Sequence, residues 1–126
     1  MCMVNSYSKG YRAEWSLTHE LYKRGWAAIR APRSGRIGLA SPDIVAAKNG
    51  KIVVIECKSR KCAFSVPKEQ LDELQEWINR AGAIAYIGWK ISRKGWCFMN
   101  LSDVKENNGN IGKKFIKEKG FGIDCL

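Results

Sequence analysis

The chain has 126 residues, of which 45% are hydrophobic and 27% charged, and this is typical of one folded domain rather than of a disordered chain. The formal net charge of +10 favours a polyanionic partner, either nucleic acid or an anionic membrane surface. No apolar run approaches the ~20 residues that span a bilayer, and no signal peptide is evident, so we expect a cytoplasmic protein without a membrane partner. One histidine, and five cysteines without a C-x-x-C pair, argue against a Ser-His-Asp triad and a zinc ribbon.

The first predicted helix runs from about residue 12 to residue 24, with Leu17 and Leu21 on its buried stripe. Glu14 lies on or beside that stripe, so its carboxylate is expected to point toward the sheet. The alternative is an ordinary glutamate near a helix N-terminus, where the helix dipole favours negative charge. His19 lies off the stripe and is expected to be exposed.

A short strand over residues 26–30 ends in Arg30 and leads into a loop that holds Arg33, Ser34 and Arg36 with two glycines. Glycine lets a backbone approach a ligand closely, and the arginine guanidinium forks onto phosphate oxygens. A mobile, solvated loop is the alternative interpretation. Because the loop runs straight into Asp43, a role in handling phosphate is favoured.

Two apolar runs, over residues 44–47 and 52–55, flank Asn49 and Gly50. Asn-Gly between β-branched runs indicates a β-hairpin, because both residues tolerate the positive φ of a type I′ turn.

The register that this turn implies brings two acidic residues together, with Asp43 opposite Glu56 and Lys58 on the same face. Two carboxylates ~5 Å apart repel by roughly 3 kcal/mol at an effective dielectric of ~20, more than a cross-strand pair of ~0.2–1 kcal/mol offsets. A hard divalent cation such as Mg²⁺ would relieve the repulsion. The alternative is a structural cluster in which Lys58 or a nearby arginine neutralises the pair.

In the second half of the chain, Pro67 predicts the start of a helix and Gly82 its end. Two aromatic-rich strands follow, over residues 83–89 and 96–101. Their aromatics exceed what a small core needs, so we expect some of them at a dimer interface, and the alternative is that the same residues fill the core.

Basic residues continue outside these elements. Arg60 and Lys61 extend the positive surface after Lys58, and residues 113–119 predict a short basic helix. The segment after Asn107 is a candidate flexible tail that docks a protein partner.

Pro42-Asp43, followed by Glu56-Cys57-Lys58, resembles the signature of the PD-(D/E)XK nuclease superfamily. In that superfamily the acidic residues hold Mg²⁺, and the lysine helps to activate or position a water molecule.

Further residues narrow the resemblance. Lys9-Gly10 precedes the helix glutamate Glu14, and Arg30 ends a strand before a loop with Ser34. This ordered combination is similar to that of the archaeal Holliday junction resolvases. Ser41 is the alternative for the loop serine.

The resemblance implies an α/β restriction-endonuclease-like fold, with a mixed central β-sheet flanked by helices, in a single domain over residues 1–126. It also implies a homodimer that makes paired cuts in four-way DNA junctions, using Mg²⁺ or, as a substitute, Mn²⁺. The metal ligands that it implies are Glu14, Asp43 and Glu56, and the catalytic residues are these three with Ser34 and Lys58. The expected DNA-binding residues are Lys9, Arg12, Arg30, Arg33, Arg36, Arg60 and Lys61.

Two other functions remain open from the sequence. One is a nuclease of the same superfamily that cuts ordinary duplex or flap DNA in repair or restriction. The other is a basic DNA-binding protein without catalytic activity, in which the acidic cluster is structural.

Overall fold

The computed structural model describes residues 7–31, 38–91 and 94–126, with side chains from Gly10 onward. Its helices and strands are α1 (Tyr7–Lys23), β1 (Ala27–Arg30), β2 (Ile44–Lys48), β3 (Lys51–Ser59), β4 (Phe64–Ser65), α2 (Lys68–Ala81), β5 (Ile84–Ile91), β6 (Gly95–Asn100), α3 (Leu101–Glu106), β7 (Asn110–Ile111) and α4 (Lys113–Lys119). A short 3₁₀ helix over Ile123–Cys125 follows α4.

Five strands form the central sheet in the order β1-β2-β3-β5-β6. Strands β3 and β5 are parallel, and every other neighbouring pair is antiparallel. The chain passes from β3 to β5 through α2, because parallel neighbours need a crossover connection. Together with a helix on each face, this mixed sheet confirms the predicted fold class.

Neighbouring residues of β3 contribute to different cores because side chains alternate along a strand. Val53 and Ile55 pack in the core that α1 covers, where Leu17 and Leu21 are fully buried. Val54 packs in the core that α2 covers. A strand buried on both faces reads as a continuous apolar run, as the sequence of β3 does.

The β2–β3 hairpin has the predicted turn and register. Asn49 and Gly50 have φ values of 50° and 83°, and Lys48 lies opposite Lys51. These positive φ values are those that Asn-Gly accepts at little cost. The hairpin therefore confirms the pairing from which the position of the acidic residues was predicted.

Helix α2 has the predicted ends. Pro67 is its N-cap, and Gly82 ends it in the left-handed conformation, with its N–H donating to the Ile78 carbonyl at 3.0 Å. Helix α1 begins earlier than predicted, at Tyr7. No helix among the described residues is long and apolar enough to cross a membrane.

The aromatics of β5 and β6 belong to the cores. Trp89 and Phe98 are 1% and 0% exposed, and Tyr86 is also buried. Helices cover both faces of the sheet and bury these three side chains, whereas Trp96 of β6 is half-buried. The burial of Tyr86, Trp89 and Phe98 supports the alternative that these aromatics fill the core, and a contribution of the half-buried Trp96 to an interface stays a prediction.

The chain after Asn107 packs against the rest of the protein. Strand β7 pairs with β4, and α4 occupies the predicted residues. Phe121 exchanges two backbone hydrogen bonds with Phe98, of 2.8 and 2.9 Å, which extends the edge of the sheet beyond β6. Strands β4 and β7 and helix α3 were not predicted, because such short elements have too few residues to set a period.

Candidate active site

Two acidic residues meet at the end of the β2–β3 hairpin that is remote from its turn. Asp43 directly precedes β2 and is 8% exposed, and Glu56 lies in the last half of β3. The Cys57 backbone N–H donates to Asp43 Oδ2 at 2.8 Å, which fixes the Asp43 carboxylate against β3.

The carboxyl group of Glu56 is held where ionisation is costly. Burial raises its pKa well above the ordinary value, and the charge of Asp43 and a hydrogen bond between the two side chains raise it further. Lys58 acts in the opposite direction and does not overcome these effects. Asp43 and Glu56 are therefore neighbours, as predicted, and Lys58 offsets only part of the effect of Asp43 on the Glu56 pKa.

Glu14 comes to the site from α1. Burial raises its pKa to about 7, the charge of Asp43 acts in the same direction, and Arg30 lowers the pKa. Arg30 Nε donates to Glu14 Oε1 at 3.0 Å. Because α1 begins at Tyr7, Glu14 lies beyond its first turn, which excludes the helix-dipole interpretation.

Arg30 is held on two sides. Its guanidinium lies 4.2 Å from the centre of the Tyr11 ring, a cation–π arrangement, in addition to its bond with Glu14. Tyr11 was not identified from the sequence. Its spacing of three residues before Glu14 on a helix was the only available signal.

Lys58 is buried beside Glu56. Its exposed fraction is 8%, and Nζ lies 3.8 Å from Glu56 Oε2. A shorter bond, of 2.6 Å, joins Nζ to Oε1 of Gln70 in the first turn of α2. Sequence reasoning missed Gln70 because it only marks the edge of the apolar stripe of α2.

Whether the site suits a divalent cation depends on the carboxylate oxygens that it offers as ligands. Among the described residues, no three His, Cys, Asp or Glu side chains form a group arranged to hold a metal ion. Asp43 and Glu56 form a pair of hard oxygen donors, and Glu14 is near enough for its charge to act on Glu56. Carboxylate oxygens suit Mg²⁺, and a cation would offset the repulsion that raises these pKa values. The residue types therefore suit Mg²⁺, although the described side chains are not arranged as a three-ligand site.

The remaining predicted residues have different positions. Arg12 and Lys61 are exposed, and Arg60 is half-buried with its guanidinium above the Phe64 ring. Lys9 lies in α1, and its side chain is outside the described residues. Also outside the described residues are Arg33, Ser34 and Arg36.

The chain just before Asp43 is attached to α2. Glu73 Oε2 accepts from the Ser41 backbone N–H at 3.4 Å, and Trp77 Nε1 donates to the Ala40 carbonyl at 2.9 Å. Ser41 is therefore held through its backbone. The choice of Ser34 over Ser41 as the functional serine stays a prediction.

The fold and the site define a class. A mixed sheet flanked by helices carries an aspartate before one strand, a Glu-x-Lys on the next, and a glutamate from the first helix. This arrangement is that of a nuclease with a restriction-endonuclease-like fold.

Comparisons with known proteins identify the family within that class. The family model described as archaeal Holliday junction resolvase (Hjc) matches residues 5–124. Crossover junction endodeoxyribonuclease Hjc of Archaeoglobus fulgidus is 36% identical over 105 residues, which cover 82% of this chain and 77% of that protein. The protein of the same name from Sulfurisphaera tokodaii is 36% identical over 130 residues, which cover 98% and 89%. The chain belongs to the archaeal Holliday junction resolvase family.

Solved structures agree with this assignment. The crystal structure of Archaeoglobus fulgidus Hjc, described as a Holliday junction resolvase from an archaeal hyperthermophile, matches with a TM-score of 0.81 at 32% identity. The match covers 89% of this chain and 93% of that one.

Proposed function

We propose that this chain is an endodeoxyribonuclease that resolves four-way DNA junctions by Mg²⁺-dependent hydrolysis of phosphodiester bonds, in recombination and repair. The observation that carries the proposal is the meeting of Asp43, Glu56 and Lys58 at one end of the hairpin, in a chain of this family. Mn²⁺ is the expected substitute for Mg²⁺. The cytoplasmic location stays a prediction from the sequence.

The acidic residues have the role of metal ligands in this proposal. Asp43 and Glu56 would hold the cation, with Glu14 as the third ligand. A bound Mg²⁺ supplies Lewis acidity toward the phosphoryl oxygens and lowers the pKa of a coordinated water. Arg30 holds the Glu14 carboxyl group in place through its 3.0 Å bond.

Lys58 has the role of the cationic group beside the reacting phosphate. Its ammonium is buried next to Glu56, so it carries a positive charge into a region of low dielectric. There it stabilises the negative charge that develops on the phosphoryl oxygens as water attacks phosphorus and the P–O bond to the leaving strand breaks. Ser34 is proposed as a further contact to the scissile phosphate.

DNA binding is proposed for the basic residues around this site. The exposed side chains of Arg12 and Lys61, with Lys9, Arg33, Arg36 and the half-buried Arg60, supply positive charge to phosphates. The net charge of +10 supports this role.

A homodimer is also proposed, because resolution of a junction requires two cuts of like polarity and one chain offers one acidic cluster. A candidate surface is the open groove of about 450 Å³ between residues 38–40 and α2, lined by Leu39 and Trp77. Leu39 is 68% exposed beside the half-buried Trp77, so the groove presents apolar surface to a partner. A protein partner for the segment after Asn107 stays a hypothesis. Its exposed lysines would suit an acidic surface.

The test is cleavage of a labelled synthetic four-way junction with and without Mg²⁺, by the wild type and by Asp43→Asn and Glu56→Gln. Loss of several kcal/mol of charge stabilisation predicts a fall in cleavage rate of roughly 10³-fold or more for either variant. Junction binding should be retained or tightened, because each variant removes negative charge. Asp72→Asn, on the exposed face of α2, is the matched control and should cut normally.

Labelled duplex and flap DNAs in the same assay distinguish the alternatives. Cutting of duplex or flap in preference to the junction would favour the ordinary repair or restriction nuclease. Binding without any Mg²⁺-dependent nicking would favour the non-catalytic protein. Loss of binding together with cutting, from folded variants, would mean that the acidic residues are structural.

A further inference from the structure

The ammonium group of Lys58 lies between two acceptors at different distances. Gln70 Oε1 is 2.6 Å from Nζ, a short hydrogen bond, whereas Glu56 Oε2 is 3.8 Å away. A direct bond between an ammonium and a carboxylate is typically about 2.7–2.9 Å long, so the contact with Glu56 is longer than such a bond. Lys58 Nζ is therefore hydrogen-bonded to Gln70 and not directly to Glu56.

The position of Gln70 is fixed by backbone hydrogen bonds at the start of α2. Its backbone N–H donates to the Pro67 carbonyl at 3.0 Å in the first turn of α2. The residue before that proline is anchored in turn, since the Val66 N–H donates to the Gly109 carbonyl at 2.8 Å. The backbone that carries Gln70 is thus attached to the fold both through the helix and through the C-terminal segment.

The chemistry of an amide suits this position better than that of a carboxylate. The amide oxygen is a neutral acceptor, so it does not offset the charge of an ammonium as a carboxylate would. An ammonium has three N–H donors, and one bond to Gln70 leaves others for a water molecule or a phosphate oxygen. The Glu56 oxygen, if Lys58 does not occupy it, remains a ligand for a cation.

We propose that Gln70 is a positioning residue for the cleavage reaction, which holds the Lys58 ammonium off the Glu56 carboxylate and directs it toward the reacting phosphate. The inference rests on the proposed function, in which Lys58 stabilises the developing charge. Without Gln70, Lys58 closes onto Glu56, which misplaces the charge and weakens cation binding.

The kinetic test uses Gln70→Leu, which removes the acceptor at similar volume. Gln75→Leu is the matched control, because Gln75 lies on the same helix and accepts from Lys105 Nζ at the same 2.6 Å, outside the site. Under single-turnover conditions we expect Gln70→Leu to slow junction cleavage by about 10–100-fold, since a misplacement of about 1 Å can cost that much. It should also raise the Mg²⁺ concentration for half-maximal rate. The junction Kd should stay within about two-fold, and Gln75→Leu should match the wild type.

A double-mutant cycle shows whether Gln70 acts through Lys58. In a Lys58→Met background, the addition of Gln70→Leu should change the cleavage rate by less than about two-fold. A second readout needs neither DNA nor metal: a ¹H–¹⁵N NMR spectrum of lysine ammonium groups, in which a buried, hydrogen-bonded group exchanges slowly. The signal lost in Lys58→Met should move to a different chemical shift in Gln70→Leu, where the ammonium closes onto Glu56, and keep its position in Gln75→Leu.

Several outcomes overturn the inference. Gln70→Leu could cut like Gln75→Leu, slow cleavage equally in both Lys58 backgrounds, lose junction binding instead of rate, or leave the Lys58 signal at its wild-type chemical shift. If Lys58→Met itself cuts at the wild-type rate, the proposed role of Lys58 fails as well. If Lys58→Met is slow and Gln70→Leu is not, only the role of Gln70 fails.

Discussion

Glu14 and Glu56 are carboxyl groups that the folded chain holds in positions where ionisation is costly. Burial is the larger cause for both, and the charge of Asp43 is the next. In a protein whose only task was to fold, such a cluster would be a liability. Its presence beside Lys58 is understandable if a cation is bound during function.

A pH dependence of stability follows from the raised pKa of Glu14. The native state binds more protons than the unfolded chain between the ordinary value of 4.5 and the folded value of about 7. The free energy of unfolding of the metal-free protein should therefore fall as the pH rises through that range. Glu56 acts in the same direction. Urea denaturation in the presence of a chelator, between about pH 5 and about pH 8, measures this change in the free energy of unfolding.

In the Glu14→Gln variant the side chain at position 14 cannot ionise. The free energy of unfolding of this variant should therefore fall less steeply with pH than that of the wild type. Glu69→Gln, in the first turn of α2, is the control and should keep the wild-type slope. A metal-free wild-type protein that becomes more stable from about pH 5 to about pH 8 would contradict the account.

At the scale of elements, α4 and the residues after it pack against the sheet and are part of the folded domain. Phe121 pairs with Phe98, and Phe115 and Ile116 pack against the core that α2 covers. Gly120 makes the close approach possible, because a Cβ there would meet Cys97 Sγ and the Ile116 carbonyl oxygen.

Gly120→Ala should therefore lower the free energy of unfolding by about 1–3 kcal/mol, the usual cost of overpacking. Gly112→Ala is the matched control at the other end of α4. Its Cβ would lie 3.5 Å from Ala63 Cβ, an ordinary contact, so its effect should stay within about 0.5 kcal/mol. Chemical denaturation compares the two. Equal stabilities would mean that the C-terminal segment contributes little to the fold.

At the scale of the whole molecule, the net charge of +10 predicts a strong salt dependence of junction binding. If ~6–10 phosphates are contacted, affinity should fall by about 10³–10⁵ between ~50 and ~200 mM salt. Electrophoretic mobility shifts over a salt series give the slope. Neutralising Lys61 should reduce that slope by about one, and a flat response would refute the electrostatic explanation.

Assembly is the other prediction at this scale. Sedimentation at micromolar concentration without DNA should give a dimer, and Leu39→Asp should shift it to monomer by placing a charge in the groove beside Trp77. Tyr22→Asp is the control, since Tyr22 is 74% exposed on α1. Mixed dimers with one Glu56→Gln subunit should nick a junction once and rarely complete resolution. A wild-type monomer would favour the nuclease that makes single cuts.

The sequence by itself determined the features that depend on neighbours along the chain. The Asn49-Gly50 turn and the two-residue period of the strands are local, so the hairpin and the meeting of Asp43 with Glu56 were predictable. The limits of α2 were predictable for the same reason, because Pro67 marks its start and Gly82 marks its end. Net charge, a sum over residues, needs no structure at all.

Only the tertiary structure decided which distant residues share a site. The bonds of Arg30 to Glu14 and of Lys58 to Gln70 join side chains on different elements, and no period in the sequence relates them. The burial of Trp89 was also decided there, because an aromatic run in a strand reads the same whether a helix or a second subunit covers it. Contacts between elements depend on how those elements pack in space. A periodic pattern shows which face of an element is buried, but it does not specify which side chain of another element that face will meet.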